Sequence, residues 1–143
     1  MSSFGNFLAN DIIRIGVVGY SDEDYIPNDL IAKKKIASGL GYFDLKDKEV
    51  HIVSGLTNMG IPRLAYELAR DKGYKTVGIT AEEAKKYELF PVDETFFVGE
   101  KFGDESDFFL KYINGLIKVG GGPQSKKEYE SFRGPKVEFS LGL

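Results

Sequence analysis

Along the chain, short apolar runs rich in β-branched residues alternate with longer stretches whose apolar positions recur every three or four residues. Residues 12–18 (Ile-Ile-Arg-Ile-Gly-Val-Val) have the near-continuous apolar character of a strand buried on both faces. The same character returns at 50–54, 75–80, 94–98, 115–119 and 136–140. Between these runs the spacing predicts helices. The first covers 28–40, with Leu30, Ile31, Ile36, Ala37 and Leu40 as its apolar positions and Gly39 and Gly41 closing it. The second covers 64–72, with Leu64, Ala65, Leu68 and Ala69 on one face and Gly73 as its stop. A short helix is expected near 81–87. Further helices are expected over 104–112, capped by Asp104 or Ser106, and over 125–132. Strand and helix alternate about five times, the pattern of a Rossmann-like α/β domain: a mostly parallel sheet between two helical layers. No linker or repeat interrupts it, so one domain over residues 1–143 is expected.

Composition narrows the chemistry more than the fold. The absence of cysteine removes disulfides, thiol catalysis and cysteine-ligated metal. A single histidine, His51, leaves no material for a histidine metal cluster or a Ser-His-Asp triad, so no metal or resident cofactor is expected. His51 opens a strand, away from the carboxyl-end face, and is expected to be structural. The formal charge of -3 and the lack of a basic-aromatic stripe argue against nucleic acid and anionic membrane as partners. No apolar run approaches the ~20 residues of a membrane span, and residues 1–10 lack the form of a secretory signal. A soluble cytoplasmic protein with a small-molecule partner is the expectation.

In open parallel sheets, ligands bind beyond the carboxyl ends of the strands, and three turns there are rich in glycine and hydroxyl groups. After the first strand come Gly19, Tyr20 and Ser21: Gly19 permits close backbone approach and Ser21 offers a hydroxyl. A glycine that merely turns the chain is the competing explanation. After the second strand come Ser54, Gly55, Thr57, Asn58 and Gly60, ahead of Pro62 and Arg63. The amides that open a helix have no intrahelical partner and sit at its positive end, so this turn suits an anion, with Arg63 as a further contact. Thr57 or Asn58 acting simply as the helix cap competes with that reading. After the fifth strand come Gly120, Gly121, Gly122, Pro123, Gln124 and Ser125, then Glu128. Three glycines in succession carry a backbone-entropy penalty, rationalised if a ligand must approach the main chain. Ser125-x-x-Glu128 also has the spacing of a capping box, the simpler account of Glu128 on the residues alone.

Two common nucleotide sites are disfavoured. No stretch supplies the Walker A pattern, and Ser54-Gly55 stands where a dinucleotide fold places its ribose-binding acid. The Lys33-Lys34-Lys35 run reads as a solvated helix face; Asp104 and Glu105 could form an acidic pair, but helix-start charges are the simpler account of them.

Taken together, the turns at 19–21, 54–60 and 120–128 resemble those of the LOG-like ("possible lysine decarboxylase") branch of the Rossmann superfamily. Its relatives include molybdenum-cofactor carrier proteins and the DNA-processing protein of natural transformation. The likeness runs in order from Ile13 to about Phe139. Enzymes of that branch are phosphoribohydrolases, which cleave the N-glycosidic bond of a nucleoside 5′-monophosphate. The resemblance implies that Gly121 and Gly122 match the paired phosphate-cradling glycines, Ser125 the threonine and Glu128 the catalytic glutamate. Gly120 replaces the motif's proline, Gln124 its third glycine, and the arginine-lysine pair that precedes it is missing, with Lys101 the nearest substitute. The chain is also shorter than the typical enzyme. The resemblance further implies a homodimer. Two functions follow: a nucleotide hydrolase using Glu128 with Arg63 or Lys101, or a carrier or sensor that holds a nucleotide-like ligand without turnover. Single-stranded DNA binding, by analogy with the third relative, has the least support.

Overall fold

The computed structural model describes residues 11–21 and 28–141; the segment 1–10 considered above for a targeting signal lies outside the described residues. Six strands form one sheet: β1 (Ile12–Gly19), β2 (Glu49–Ser54), β3 (Lys75–Thr80), β4 (Glu94–Phe97), β5 (Gly115–Val119) and β6 (Lys136–Phe139). Their spatial order is β4-β3-β2-β1-β5-β6, and every neighbouring pair is parallel. The chain starts at the middle of the sheet, builds outward to β4, then crosses back to place β5 on the other side of β1. The order therefore reverses between β1 and β5, where Gly19 is in register with Val119.

Four helices cover the sheet: α1 (Asp29–Leu40), α2 (Gly60–Asp71), α3 (Ser106–Tyr112) and α4 (Pro123–Ser131), with a 3₁₀ helix over Glu82–Lys86. On one face α1 and α2 pack against each other and bury Ile36, Leu64 and Tyr66 against Ile15, Ile52 and Ile117. The opposite face buries Phe109 and Phe132 against Val53, Val77 and Leu116. The expected Rossmann-like α/β sandwich is what the chain forms, with the sheet wholly parallel.

The strands fall where their apolar runs place them, within a residue or so. Three helix starts do not. α2 begins at Gly60 rather than 64, with Met59 as N-cap and no side-chain cap bond, so Thr57 and Asn58 are not its caps. Asn58 instead donates to Glu88, and Thr57 forms an isolated bridge with Leu89. α3 begins at Ser106 with Glu105 as N-cap, again without a side-chain bond. The Asp104 carboxylate turns backward and accepts from the amides of Glu100 and Lys101. α4 begins at Pro123, a residue suited to a position whose amide has no partner, with Gly122 as N-cap. Ser125 is therefore already inside the helix, and the capping-box account of Ser125 and Glu128 is overturned. On α1, Leu30 and Ile31 are exposed, and Ala32, Ile36, Gly39 and Leu40 form the buried side. Of the lysine run, Lys33 pairs with Glu67 at 2.8 Å and Lys35 donates to the Ser140 carbonyl, leaving Lys34 exposed. No helix among the described residues is long and apolar enough to cross a membrane.

Candidate functional site

The reversal between β1 and β5 opens a crevice at the carboxyl edge of the sheet, as strand order dictates. A cleft of about 550 Å³ occupies it, within the range of small-molecule sites. Its walls are the turn after β1 (Gly19, Tyr20, Ser21), the turn after β2 (Ser54, Gly55, Leu56, Thr57, Met59), the end of β3 (Ile79, Thr80) and the start of α4 (Gly122, Pro123, Gln124, Ser125, Glu128). Val17, Val18, Pro62, Tyr87, Phe102, Glu105 and Phe109 complete them.

Main-chain contacts tie the three glycine turns together. The Ile61 amide donates to the Tyr20 carbonyl at 2.7 Å, fixing the start of α2 on the β1 turn. Gly60 has φ +68° there, and a Cβ on it would lie 2.4 Å from that same carbonyl. The Ser125 hydroxyl donates to the Gly19 carbonyl at 3.2 Å, fixing α4 on the same turn. Gly19 itself is demanded by close approach, since its Cβ would stand 2.2 Å from the Val119 carbonyl oxygen. The buried Ser54 hydroxyl donates to Val17 at 2.6 Å, stitching β2 to β1. Tyr66, whose hydroxyl pKa burial raises well above the usual, donates to the Gly55 and Val77 carbonyls behind the second turn.

Six of the residues singled out in the sequence do not line the cleft. Arg63 donates to Asp29 of α1 at 3.0 Å and to Glu67 of its own helix at 2.9 Å, and it does not line the cleft. Lys101 is exposed in the turn before α3. Asn58 bonds to Glu88, and Gly60 packs against the main chain of Tyr20 and Ser21. Gly120 and Gly121 face a separate hollow of about 470 Å³ with Lys118, Glu138 and Leu141. The expectation of a wholly bare triple-glycine bend is corrected in detail: the Gly120 amide donates to the Phe139 carbonyl, continuing the sheet. A Cβ at Gly120 would meet the Tyr20 ring and one at Gly121 would meet Ser125, whereas Gly122 has open space. Only the third glycine faces the cleft.

The cleft's chemistry centres on a carboxyl pair that sequence reasoning half saw. Glu128 and Glu105, each 6% exposed, both line it. The Gln124 amide nitrogen bridges them, donating to Glu105 Oε2 at 3.1 Å and Glu128 Oε2 at 3.3 Å. Ser106 Oγ donates to Glu128 Oε2 at 2.7 Å, and the Gly103 amide to Glu105 Oε1 at 2.9 Å. Burial raises the Glu128 pKa above the ordinary value and the nearby Glu105 charge adds to the rise, while the bonds from Ser106 and Gln124 oppose it. The acidic pair at Asp104 and Glu105 does not form as such: Asp104 holds the amides of Glu100 and Lys101, and the topology delivers Glu105 to the cleft beside Glu128. No arginine, lysine or histidine among the described residues lines the cleft. What remains for an anion is the positive end of α4, whose N-cap Gly122 leaves the first turn without a side-chain partner. Among the described residues no group of acids and histidines has the form of a metal site.

No protein-family model matches this chain, and no curated protein sequence does. Solved structures do match. The Moco carrier protein from Chlamydomonas reinhardtii superposes with a TM-score of 0.65 at 22% identity, over 90% of this chain and 76% of that one. This chain has the fold of the molybdenum-cofactor carriers. The molybdenum cofactor binding protein from the phototrophic bacterium Rippkaea orientalis shares that carrier fold with a TM-score of 0.64, at 17% identity over 90% and 76% of the two chains. The structural-genomics target TM1055 matches with a TM-score of 0.62 at 21% identity, over 81% of this chain; the match spans 65% of that protein's length. At these identities the likeness is one of fold. The LOG-like and carrier-like resemblance read from the three turns agrees with it.

Proposed function

We propose that the cleft at the carboxyl edge of β1, β2, β3 and β5 binds a phosphorylated nucleotide or nucleotide-like ligand, with the phosphate at the start of α4. The observation that carries this reading is convergence: three glycine-bearing turns, tied to one another through the carbonyls of Gly19 and Tyr20, wall a single 550 Å³ cleft at the reversal of strand order. The absence of a lining cation favours recognition by oriented amides over recognition by point charges. A carrier or sensor that holds its ligand without turnover suits such a site, and the neighbours named for molybdenum-cofactor carriage support it. Titrating the protein with nucleoside 5′-monophosphates while following its thermal transition tests the reading. A ligand at 100 times its dissociation constant adds about 2.7 kcal/mol of stability. A transition that stays put with every monophosphate overturns the assignment.

One observation favours a second reading, N-glycosidic hydrolysis. Glu128 presents a buried carboxyl to the cleft, where it would stabilise positive charge developing on a ribose or position the attacking water. Release of ribose 5-phosphate that disappears in Glu128→Gln supports hydrolysis; binding without product supports the carrier.

A further inference from the structure

Tyr87 and Phe102 are 52% and 42% exposed, yet both line the cleft. Their ring centroids stand 6.1 Å apart with planes inclined at 42°, so together they make an aromatic wall. Phe102 is held in that exposed position. The Glu83 carboxylate accepts from its amide at 3.0 Å, Asp104 accepts from the Lys101 amide at 3.0 Å, and Glu105 accepts from the Gly103 amide at 2.9 Å. Exposing two aromatic rings side by side forgoes the burial that drives folding, which a ring-shaped partner would restore.

The carboxyl pair lies next to this wall, because the Gly103 amide that follows Phe102 is the one bonded to Glu105. Both hydrogen bonds that reach Glu128 arrive at Oε2, so Oε1 keeps its full acceptor capacity, and each Glu105 oxygen accepts one bond and can accept a second. Carboxylates only accept hydrogen bonds, and they pair best with two parallel N–H donors on adjacent atoms. A guanine-type edge offers a ring N–H beside an amino group. An adenine edge instead sets a lone pair beside its amino group, which would face a carboxylate oxygen without a proton between them. The same negative pair repels a phosphate, so the ring goes to this end and the phosphate to the mouth of α4.

Building on the ligand-binding reading above, we propose that the cleft selects a 5′-monophosphate of a flat heteroaromatic ring with adjacent N–H and amino donors, of the guanine kind. The ring face lies on Tyr87 and Phe102, and the donor edge meets Glu105 and Glu128.

Calorimetric titration of the whole protein with GMP, AMP and ribose 5-phosphate tests this, on the unaltered chain, Phe102→Ala, Phe102→Tyr and Glu105→Gln. GMP is expected to bind at least about 10-fold more tightly than AMP, and Glu105→Gln to erase most of that preference. Phe102→Ala is expected to weaken GMP by about 10-fold or more and leave ribose 5-phosphate unchanged, with Phe102→Tyr restoring GMP affinity. Phe102 is exposed, so an unchanged thermal transition verifies that its variants fold. Equal binding of GMP and AMP, or GMP affinity untouched by Phe102→Ala, overturns the proposal. If ribose 5-phosphate binds and neither nucleotide binds more tightly, the ring site is wrong and the phosphate site stands. If none of the three binds, both readings fall together.

Discussion

Burial raises the pKa of the Glu128 carboxyl in the fold, so its contribution to stability is greatest below the ordinary glutamate range, near pH 4, and is lost as the pH rises through the folded value. Glutamine keeps an oxygen for Ser106 but never ionises. The stability of Glu128→Gln relative to the parent should therefore improve between pH 4 and pH 7, as read from denaturant midpoints at the two values; a gap that does not move contradicts a buried, ionising Glu128. Asp104 runs the other way. Amide bonds from Lys101 and Glu100 lower its pKa, so its contribution is present above the usual aspartate value and is lost as the pH falls through the folded one. Asp104→Asn should fall behind the parent at pH 7 and draw level with it in acid, measured in the same way. Glu128 lies within α4 and Asp104 just before α3, both acids near a helix start in the sequence. Only the structure separates them.

At the scale of elements, what could be read from the chain depended on where the signal resides. Strands β1, β2, β3 and β5 are buried on both faces, so their apolar runs announced them. α1 falls within a residue of the range its apolar spacing predicts, and Asn28 caps it through the side chain, accepting from the amides of Leu30 and Ile31. α2, α3 and α4 follow the N-caps Met59, Glu105 and Gly122, none with a side-chain cap bond, and the side chains of Asn58, Asp104, Ser106 and Ser125 bond elsewhere. A search for capping residues had to go astray at those three places. The glycines after β5 were visible, but their separate duties were not. Gly121 has φ +114° and a Cβ there would lie 2.7 Å from Ser125; Gly122 has φ -93° and open space. Gly121→Ala should thus cost about 1–3 kcal/mol of stability, the usual penalty for a non-glycine residue held in sparsely populated backbone space. Gly122→Ala should cost less, up to about 1 kcal/mol as alanine replaces glycine at the N-cap of α4, while weakening ligand binding, because Gly122 lines the cleft. Chemical denaturation and ligand titration of the two variants check both halves. Equal destabilisation would show that the third glycine is as structural as the second.

Over the whole molecule, a formal charge of -3 gave no hint of where an anion would be received, and the sequence drew attention to Arg63 and Lys101 as cations near the glycine turns. Tertiary structure reassigns them. Partners for Arg63 come from α1 and from one turn further along α2, and Lys101 stands on an exposed turn, so neither side chain lines the cleft. The residues of the proposed ring end, Tyr87, Phe102 and Glu105, lie between β3 and α3, outside the three glycine turns; parallel strand order brings them to the cleft that α4 also lines. The consequence is a physical distinction between two ways of holding a phosphate. Binding through lysine or arginine draws on charge attraction that salt screens, with a Debye length of about 10 Å at 0.1 M falling to about 3 Å at 1 M. Binding through main-chain amides at a helix mouth is short-ranged, and the acidic pair deeper in the cleft opposes any long-range attraction. Affinity for a nucleoside monophosphate should therefore change by no more than roughly threefold between 50 mM and 500 mM sodium chloride, and screening of the carboxyl pair should even offset part of that loss. Titration at the two salt concentrations decides the matter. A tenfold or steeper loss would mean that a cation, not the start of α4, receives the phosphate.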